Sequence, residues 1–225
     1  SAASDVYKRQ LIHCITNYVS INDCANIVLA CGGAPIMAED INEVSQITSI
    51  CQGLDINIGM LNDNKLSSML KAGATANELG IPVILDPVGA GSSDYRIKAV
   101  QNLMSNVQFG VIRGNVSEIK AIAAKQGIHN IAAGVYETMQ KNKSAMGVDA
   151  GIADKITDDN IKEMADFINK LSQKTGAVIA VTGGIDMVAD ENRVYAIRNG
   201  HKMMSLVTGA GSQLSALTSC LLYTS

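Results

Sequence analysis

Short apolar runs alternate with longer segments along most of this chain, and that alternation restricts the folds it can adopt. Five apolar runs are bounded by glycine or proline, as buried parallel strands are. They are "APIMA" (34–38), "LDINIGM" (54–60), "IPVILDPV" (81–88), "FGVIRG" (109–114) and "AVIAVTG" (177–183). Helix candidates lie between and around these runs at 18–31, 39–52, 62–79, 93–105, 116–125 and 158–175. Strands that alternate with helices predict an α/β fold with a parallel central sheet.

Three glycines support the ends of the first helix candidates. Gly32, Gly53 and Gly80 follow the first, second and third candidates, and glycine commonly ends a helix. Near the other end of the chain, "MVADENRVYAIRNG" (187–200) predicts a β-hairpin with a polar tip. The segment 127–157 has a mixed, glycine-containing sequence, and we expect a mobile loop there.

The composition suits one globular domain and excludes several classes of function. The chain has 225 residues, of which 47% are apolar, and a net charge of −3. It has no basic surplus for nucleic acid or an anionic membrane and no apolar run long enough to cross a bilayer. Five cysteines without a CxxC pattern predict reduced core thiols and a cytoplasmic location. The two ends, 1–10 and 220–225, lack a fitting apolar pattern, so we expect them to be non-native and the domain, truncated at its C-terminus, to span 11–219.

Polar or otherwise informative residues stand where predicted strands end. In open α/β sheets, ligands bind beyond the carboxyl ends of the strands. Several strand ends carrying such residues together are a stronger signal than any single motif. The residues are Asn17, Met37, Asn57, Gly59, Asp86, Arg113, Asn115 and Thr182.

Two of these strand ends carry motifs with more than one interpretation. In "LDPVGAG" (85–91), Asp86 can hold Mg²⁺ through water or orient phosphates, or it can simply cap a loop. In "RGNVSEI" (113–119), Arg113 suits phosphate, and Glu118 can reach a metal. The same spacing predicts a capping box between Asn115 and Glu118, and both interpretations can hold together.

A third motif, "VTGAGSQLSAL" (207–217), predicts an anion site at the start of a helix. Gly209 and Gly211 favour a turn that exposes backbone N–H groups beside Ser212. The chain contains no Walker A or GxGxxG pattern, so neither a P-loop nucleotide site nor a dinucleotide-binding fingerprint is supported. Met37 is more often a core residue than a ligand contact, although its position after a strand raises the odds of contact.

Taken together and in order, seven segments resemble the hydroxyethylthiazole kinase family of the ribokinase-like superfamily. They are "HCITNYV", "GGAPIMAED", "NIGML", "PVILDPVGAG", "RGNVSEI", "AVTGGID" and "VTGAGS", spread over residues 11–219. The resemblance implies a three-layer α/β/α fold with a mainly parallel central sheet. It also implies Mg²⁺-dependent transfer of phosphate from ATP to the hydroxyl of 4-methyl-5-(2-hydroxyethyl)thiazole in thiamine salvage. The enzyme would be a homotrimer with sites at subunit interfaces, with no nucleic acid or membrane partner.

The resemblance also implies roles for particular residues. Asn17, Met37 and Gly209 would bind the thiazole alcohol, and Asp86 and Glu118 would handle Mg²⁺ and phosphate. The residues implied to contact ATP are Arg113, Thr182, Gly209, Ala210 and Gly211, the last three forming the anion hole for the transferring group.

Ser212 is the implied catalytic position and also a departure from the family, which usually carries Cys there, while wider relatives carry an Asp base. Positioning and electrostatics supply most of the rate of phosphoryl transfer. A serine at this position therefore affects the turnover rate more than it affects the assignment of the chain to the family. Two alternatives remain open from the sequence. One is another ribokinase-like kinase, of the hydroxymethylpyrimidine type, and the other is a binding protein for nucleotide or thiazole without turnover.

Overall fold

The computed structural model describes residues 10–128 and 155–222, which divide into two compact units. The first unit comprises residues up to 86, 103–109 and the part from 202 onward, and the second comprises 87–102 and 110–201. The segment 127–157 and the two chain ends, on which three of the predictions fall, lie largely outside the described residues.

The first unit is built on four parallel strands in the spatial order β2–β1–β3–β4. The strands are β1 (Leu11–Ile15), β2 (Ala34–Ile36), β3 (Gly53–Asn57) and β4 (Val83–Asp86). Its helices are α1 (Ile21–Ala30), α2 (Val44–Ser49) and α3 (Asp63–Glu78), and the C-terminal helix of this unit is described below. A 3₁₀ turn (Lys202–Leu206) lies in the same unit, and α4 (Asp94–Asn106) contributes residues to both units.

The C-terminal helix, Ala210–Leu222, packs against α1 and against strands β1, β3 and β4. Alternate residues of β1, Ile12 and Cys14, form a buried cluster with α1 and with this helix, which includes Cys220. The residue between them, His13, points the other way and bonds to Thr48 of α2. The sheet of the first unit therefore has helices on both faces, as expected when every strand is buried.

The second unit combines one parallel and two antiparallel strand pairs in the order β5–β6–β7–β8. Its strands are β5 (Val111–Asn115), β6 (Val178–Thr182), β7 (Asp186–Ala189) and β8 (Val194–Ile197). Its helices are α5 (Val116–Lys125) and α6 (Ile161–Thr175), so the C-terminal helix of the first unit is α7. The antiparallel β7–β8 pair confirms the predicted hairpin.

The predicted elements are recovered, and α1, α2 and α6 each begin at least three residues later than predicted. α1 begins at Ile21 rather than 18, because the side chain of Asn17 accepts the backbone N–H of Ser20 and closes a turn first. α2 begins at Val44 rather than 39, after a similar turn in which Asp40 accepts the N–H of Asn42. The prediction that Gly53 ends a helix is wrong, since Gly53 is the first residue of β3.

Gly53 is explained by close packing instead. A Cβ atom at this position would lie 3.0 Å from the backbone oxygen of Ser219 in α7. Glycine therefore lets β3 and α7 approach each other.

All five cysteines are free, and four of them are buried, as predicted for core thiols. Cys31, which follows the last residue of α1, is exposed and departs from that prediction. Burial raises the pKa of the Cys24 and Cys51 thiols to about 11, so both stay protonated at neutral pH. Within the described residues, no helix is both long enough and apolar enough to cross a membrane.

Candidate active site

A buried group of polar side chains lies where β1, β3 and β4 end and α7 begins, all within the first unit. We call it the amide cluster, and it consists of Asn17, Asn57, Asp86, Ser212 and Ser215. All five side chains are less than a tenth exposed. Three of the five, Asn17, Asp86 and Ser212, are predicted site residues, and they are separated by up to 195 positions in the sequence.

Asn57 is the hub of the amide cluster. Its side-chain nitrogen lies 2.9 Å from Oδ2 of Asp86 and 2.9 Å from Oγ of Ser212. Its side-chain oxygen accepts the backbone N–H of Gly59 at 2.9 Å and Nδ2 of Asn17 at 3.1 Å. The amide of Asn57 thus links β1, β3, β4 and α7 in one network.

Asp86 is the only carboxylate of the amide cluster. Besides Asn57, its Oδ2 accepts the hydroxyl of Ser215 at 3.0 Å, one turn along α7 from Ser212. Hydrogen bonds to a carboxylate stabilise its charged form and are stronger than bonds between neutral groups. The carboxylate is therefore held in one orientation by two neutral donors on different elements.

The predicted glycine turn before α7 is present at Gly209, whereas Gly211 lies within the first turn of the helix. Gly209 has φ +77°, a left-handed backbone that side chains disfavour, and a Cβ there would lie 2.7 Å from Cβ of Ser20. α7 begins at the next residue, Ala210, so the first N–H groups of the helix, including those of Gly211 and Ser212, have no partner within the helix. Such groups and the helix dipole favour an anion at this end.

Met37 lies after β2 but packs against the apolar cluster of β1, α1 and α7. Its side chain is partly buried. The core interpretation of Met37 is supported, and its proposed contact with a ligand stays a prediction.

In the second unit, Arg113 and Thr182 lie on neighbouring strands. Nη2 of Arg113 donates to Oγ1 of Thr182 over 2.7 Å, across the parallel pair β5–β6. Arg113 is 8% exposed, so its guanidinium charge is held close to the sheet with little solvent around it. A fixed arginine of this kind suits the recognition of phosphate oxygens.

Glu118 forms the predicted capping box with Asn115. The backbone N–H of Glu118 donates to Oδ1 of Asn115 at 2.9 Å, and the N–H of Asn115 donates to Oε2 of Glu118 at 2.8 Å. The other carboxylate oxygen, Oε1, accepts the backbone N–H of Gly89 at 2.8 Å. Glu118 therefore joins the turn of "RGNVSEI" to the turn of "LDPVGAG", a contact that the capping pattern alone does not predict.

We call Gly89, Arg113, Asn115, Glu118 and Thr182 the strand-end group. Beside it, Arg96 donates to the carbonyl oxygen of Val88 at 2.6 Å. Because Glu118 binds the N–H of the same peptide unit, that unit is held from both sides by charged side chains. The turn after β4 is thus fixed in orientation.

Few side chains at the candidate site can bind Mg²⁺, and protein sites for this ion usually supply few ligands. Mg²⁺ keeps several waters and takes one or two carboxylates together with substrate phosphates. Among residues 10–128 and 155–222, no three His, Cys, Asp or Glu side chains gather into a metal cage. The carboxylates of Asp86 and Glu118 are oxygen donors of the kind Mg²⁺ prefers, and since both accept hydrogen bonds already, contact through water fits them best.

Sequence reasoning missed several residues that hold the site. Asn57 was noted at a strand end without a role, and Ser215 was not singled out, although it lies three residues after Ser212 on one helix face. Lys65 is 4% exposed, donates to the carbonyl oxygen of Thr16 and lies 2.8 Å from Oε2 of Glu39. Lys65 thereby fixes the segment that carries Asn17, a contact across 49 residues that no local pattern signals.

The carboxylate of Glu39 also accepts the hydroxyl of Tyr18. Burial alone would raise the pKa of Glu39, but the hydrogen bonds from Lys65 and Tyr18 outweigh it and hold that pKa below its usual value. A cleft of about 660 Å³ opens beside Glu39 and Lys65.

Comparisons with known proteins bear on the family and the fold. The model of the hydroxyethylthiazole kinase family matches residues 6–224. Hydroxyethylthiazole kinase of Clostridium acetobutylicum is 54% identical over 208 residues, which are 92% of this chain and 70% of that protein. The structure of a hydroxyethylthiazole kinase protein from Pyrococcus horikoshii superposes with a TM-score of 0.80 at 31% identity, over all of this chain and 76% of that one.

A more distant likeness bears on the fold alone. A ribokinase-like superfamily protein of Enterococcus faecalis matches with a TM-score of 0.58 at 10% identity, covering 95% of this chain and 71% of that chain. The predicted fold class, a ribokinase-like α/β/α arrangement with a mainly parallel sheet, is therefore confirmed. The match over nearly the whole length, together with the ordered motifs and the site they build, establishes that this chain belongs to the hydroxyethylthiazole kinase family.

Proposed function

We propose that this protein transfers the γ-phosphoryl group of ATP to the hydroxyl of 4-methyl-5-(2-hydroxyethyl)thiazole, in the synthesis or salvage of thiamine. The observation that carries this proposal is the amide cluster. It puts a buried serine hydroxyl at the N-terminus of a helix, within one hydrogen-bonded network with a carboxylate, in a chain of this family. An anion-binding helix end can stabilise the charge of a transferring phosphoryl group, and the hydroxyl and the carboxylate beside it are polar groups that can orient the reactants.

On the acceptor side, Asn17, Met37 and Gly209 bind the thiazole alcohol, with Ser212 at the reacting hydroxyl. The backbone N–H groups of Gly209, Ala210 and Gly211 serve as the anion hole for the transferring group. Support comes from the left-handed backbone at Gly209 and from the position of these residues at the start of α7.

On the nucleotide side, Arg113 and Thr182 contact ATP. Their mutual hydrogen bond fixes the guanidinium before the nucleotide arrives, so less side-chain freedom is lost on binding. Mg²⁺, when bound, neutralises phosphate charge. Asp86 in the first unit and Glu118 in the second are the carboxylates that would hold it, directly or through water.

The reaction balances without a covalent enzyme intermediate. The acceptor oxygen forms a bond to the γ-phosphorus, and the bond from that phosphorus to the bridging oxygen of ADP breaks. The hydroxyl proton leaves to a phosphoryl oxygen or to solvent, because this loose type of transition state needs little base assistance.

The oligomeric state and the cellular location of this protein are proposed from its family. We propose a homotrimer acting in the cytoplasm, with sites at subunit interfaces. Exposed apolar side chains flank the site residues in the sequence, and exposed apolar surface commonly marks an interaction site. Tyr18 and Val19 follow Asn17, and Met203, Met204, Leu206 and Val207 precede Gly209. Sedimentation would give the subunit number, and a fully active monomer at assay concentration would overturn the trimer.

The test is ADP formation with Mg-ATP across a small panel of alcohols. The panel contains the thiazole alcohol, hydroxymethylpyrimidine and a thiazole lacking the hydroxyl. We expect turnover with the thiazole alcohol alone. Preference for the pyrimidine would favour the other ribokinase-like kinase, and tight binding of the thiazole without ADP formation would favour a binding protein.

A further inference from the structure

The orientation of the Asn57 side-chain amide follows from its neighbours. One end lies 2.9 Å from the backbone N–H of Gly59, which can only donate, so that end is the oxygen. The other end lies 2.9 Å from the carboxylate of Asp86, an acceptor when ionised, so that end is the nitrogen. The two hydrogens of this nitrogen are therefore directed to Asp86 and to Oγ of Ser212.

The amide of Asn17 is oriented by the same reasoning. Its oxygen accepts the backbone N–H of Ser20 at 3.1 Å, which identifies that end as the acceptor. Its nitrogen then donates to Oδ1 of Asn57 at 3.1 Å and to Oγ of Ser212 at 3.3 Å. Ser212 thus faces two amide donors on different strand ends.

Two donors use both lone pairs of a serine hydroxyl. Oγ of Ser212 cannot then accept a proton, while its own O–H proton is directed to neither amide. In the described part of the chain, no acceptor is hydrogen-bonded to that proton, although Ser212 is only 5% exposed. A buried hydroxyl with an unused proton points to a ligand acceptor, since buried donors are otherwise satisfied.

We infer that Asn57 is a positioning residue that, with Asn17, holds the hydroxyl of Ser212 as a hydrogen-bond donor toward the reacting oxygens. This inference rests on the proposed function for the identity of those oxygens, which belong to the acceptor alcohol or the transferring phosphoryl group. Ser212 then orients and stabilises these oxygens and does not remove the proton of the acceptor. Asn57 also holds Asp86, so one amide sets the orientation of two functional side chains.

The first test is a double-mutant cycle in phosphoryl transfer, with Asn57→Ala, Ser212→Ala and the double variant. Asn57→Ala should lower kcat on the order of tenfold with a smaller change in KM for the thiazole. In the Ser212→Ala background its cost should be several-fold smaller, because the hydroxyl it acts through is gone. Equal costs in both backgrounds would overturn the inference.

A matched control separates positioning from folding. Asn77→Ala removes an asparagine that also makes two hydrogen bonds, to the backbone of Gln108, away from the amide cluster. It should leave kcat and the coupling to Ser212 unchanged. If Asn77→Ala reproduced the coupling seen with Asn57→Ala, that coupling would reflect general destabilisation, and the inference would fail.

The second test needs no activity and so separates this inference from the proposed function. In a Ser212→Cys variant that also carries Cys31→Ser, we expect the introduced thiol to titrate at a lower pH than the four buried native thiols, whose pKa values are raised, because it lies at a helix N-terminus and faces two amide donors. Thiolate absorbance gives its pKa. Adding Asn57→Ala should raise that pKa by about one unit, since a donor to the thiolate is lost.

An unchanged thiol pKa would overturn the inference even in an active enzyme. If the thiol pKa rises but the protein forms no ADP from the thiazole alcohol, the proposed function is overturned. The inference that Asn57 orients the side chain at position 212 would then still be supported.

Discussion

The amide cluster of the first unit and the strand-end group of the second hold their carboxylates by opposite means. In the amide cluster, side chains bond to one another, and the one carboxylate, Asp86, is held by neutral donors. In the strand-end group, the carboxylate of Glu118 is bound by backbone N–H groups on both oxygens. Side chains that are held by other side chains can be reoriented by a single substitution, whereas contacts to the backbone fix the chain itself.

This difference predicts how substitutions in the amide cluster and in the strand-end group should affect activity and stability. Substitutions at Asp86 and Ser212 should alter the chemistry and leave the fold largely intact, because the hydrogen bonds of these two side chains within the cluster run to other side chains. Substitutions in the strand-end group should also alter stability, because the capping box and the Gly89 contact tie backbone segments together.

The largest effect is expected for Asp86→Asn in the amide cluster. Loss of this charge should lower kcat on the order of 100-fold or more, because a carboxylate that holds Mg²⁺ supplies several kcal/mol of charge stabilisation. The isosteric amide can still accept from Asn57, so the melting temperature should change little. Steady-state kinetics measure kcat, and thermal unfolding measures the melting temperature. Glu78→Gln, an exposed charge loss in the same unit, is the control, and a similar rate loss there would refute the assignment.

A smaller effect is expected for Arg113→Ala in the strand-end group. The KM for ATP should rise about 5- to 150-fold, the equivalent of roughly 1–3 kcal/mol for a lost charge-assisted hydrogen bond. Nucleotide titration of the folded variant checks this. Arg198→Ala removes an exposed arginine paired with Asp158 and should leave the KM unchanged. Unaltered ATP affinity in Arg113→Ala would mean that Arg113 serves the β5–β6 contact alone.

A gain is expected for Ser212→Asp. A carboxylate at this position can accept the amides of Asn17 and Asn57 and still take the proton of the acceptor, so kcat should increase on the order of tenfold. Repulsion between this carboxylate and the γ-phosphate opposes the gain, but Mg²⁺ and Arg113 offset phosphate charge. Ser212→Ala should lie at or below the parent. Steady-state kinetics at saturating Mg-ATP give kcat for both variants. If Ser212→Asp and Ser212→Ala both match the parent, Ser212 does not face the reacting hydroxyl.

The smallest effect is expected for Glu118→Gln, and it should appear in stability. A glutamine can present only one oxygen, so one of the two backbone N–H groups loses its acceptor, at a cost of about 1 kcal/mol. Denaturant unfolding measures this cost, and the Mg²⁺ concentration for half-maximal activity reports any metal role. Glu163→Gln, an exposed acid in the first turn of α6, is the control. Unchanged stability would show that the capping contact contributes nothing.

Sequence reasoning predicted the strand-end group in more detail than the amide cluster, for a physical reason. Asn115 and Glu118 are three residues apart, so their capping box follows from local helix geometry. Asn57 and Ser212 are 155 residues apart, and only the packing of α7 against the sheet brings them together.

The same distinction holds for the fold. Strands β2 to β8 and most helices follow from local apolar patterns, whereas β1 was not among the predicted strands and the ends of the elements are less predictable. Gly53 looked like a helix stop because glycine ends helices locally, yet its role is set by Ser219, which lies 166 positions later on α7. Long-range contacts of this kind leave no periodic signal in the sequence.

The close contact at Gly53 positions one end of α7, and the site residues lie at the other end of the same helix. The backbone of Ser219 rests on Gly53, and Ser212 lies seven residues earlier, about 10 Å along the helix axis. A methyl group added at Gly53 would lift one end of α7 and tilt the other, where Ser212 and Ser215 meet Asn57 and Asp86. We therefore expect a variant at this remote backbone contact to lose activity by displacing Ser212 and Ser215, although no side chain of the site has been changed.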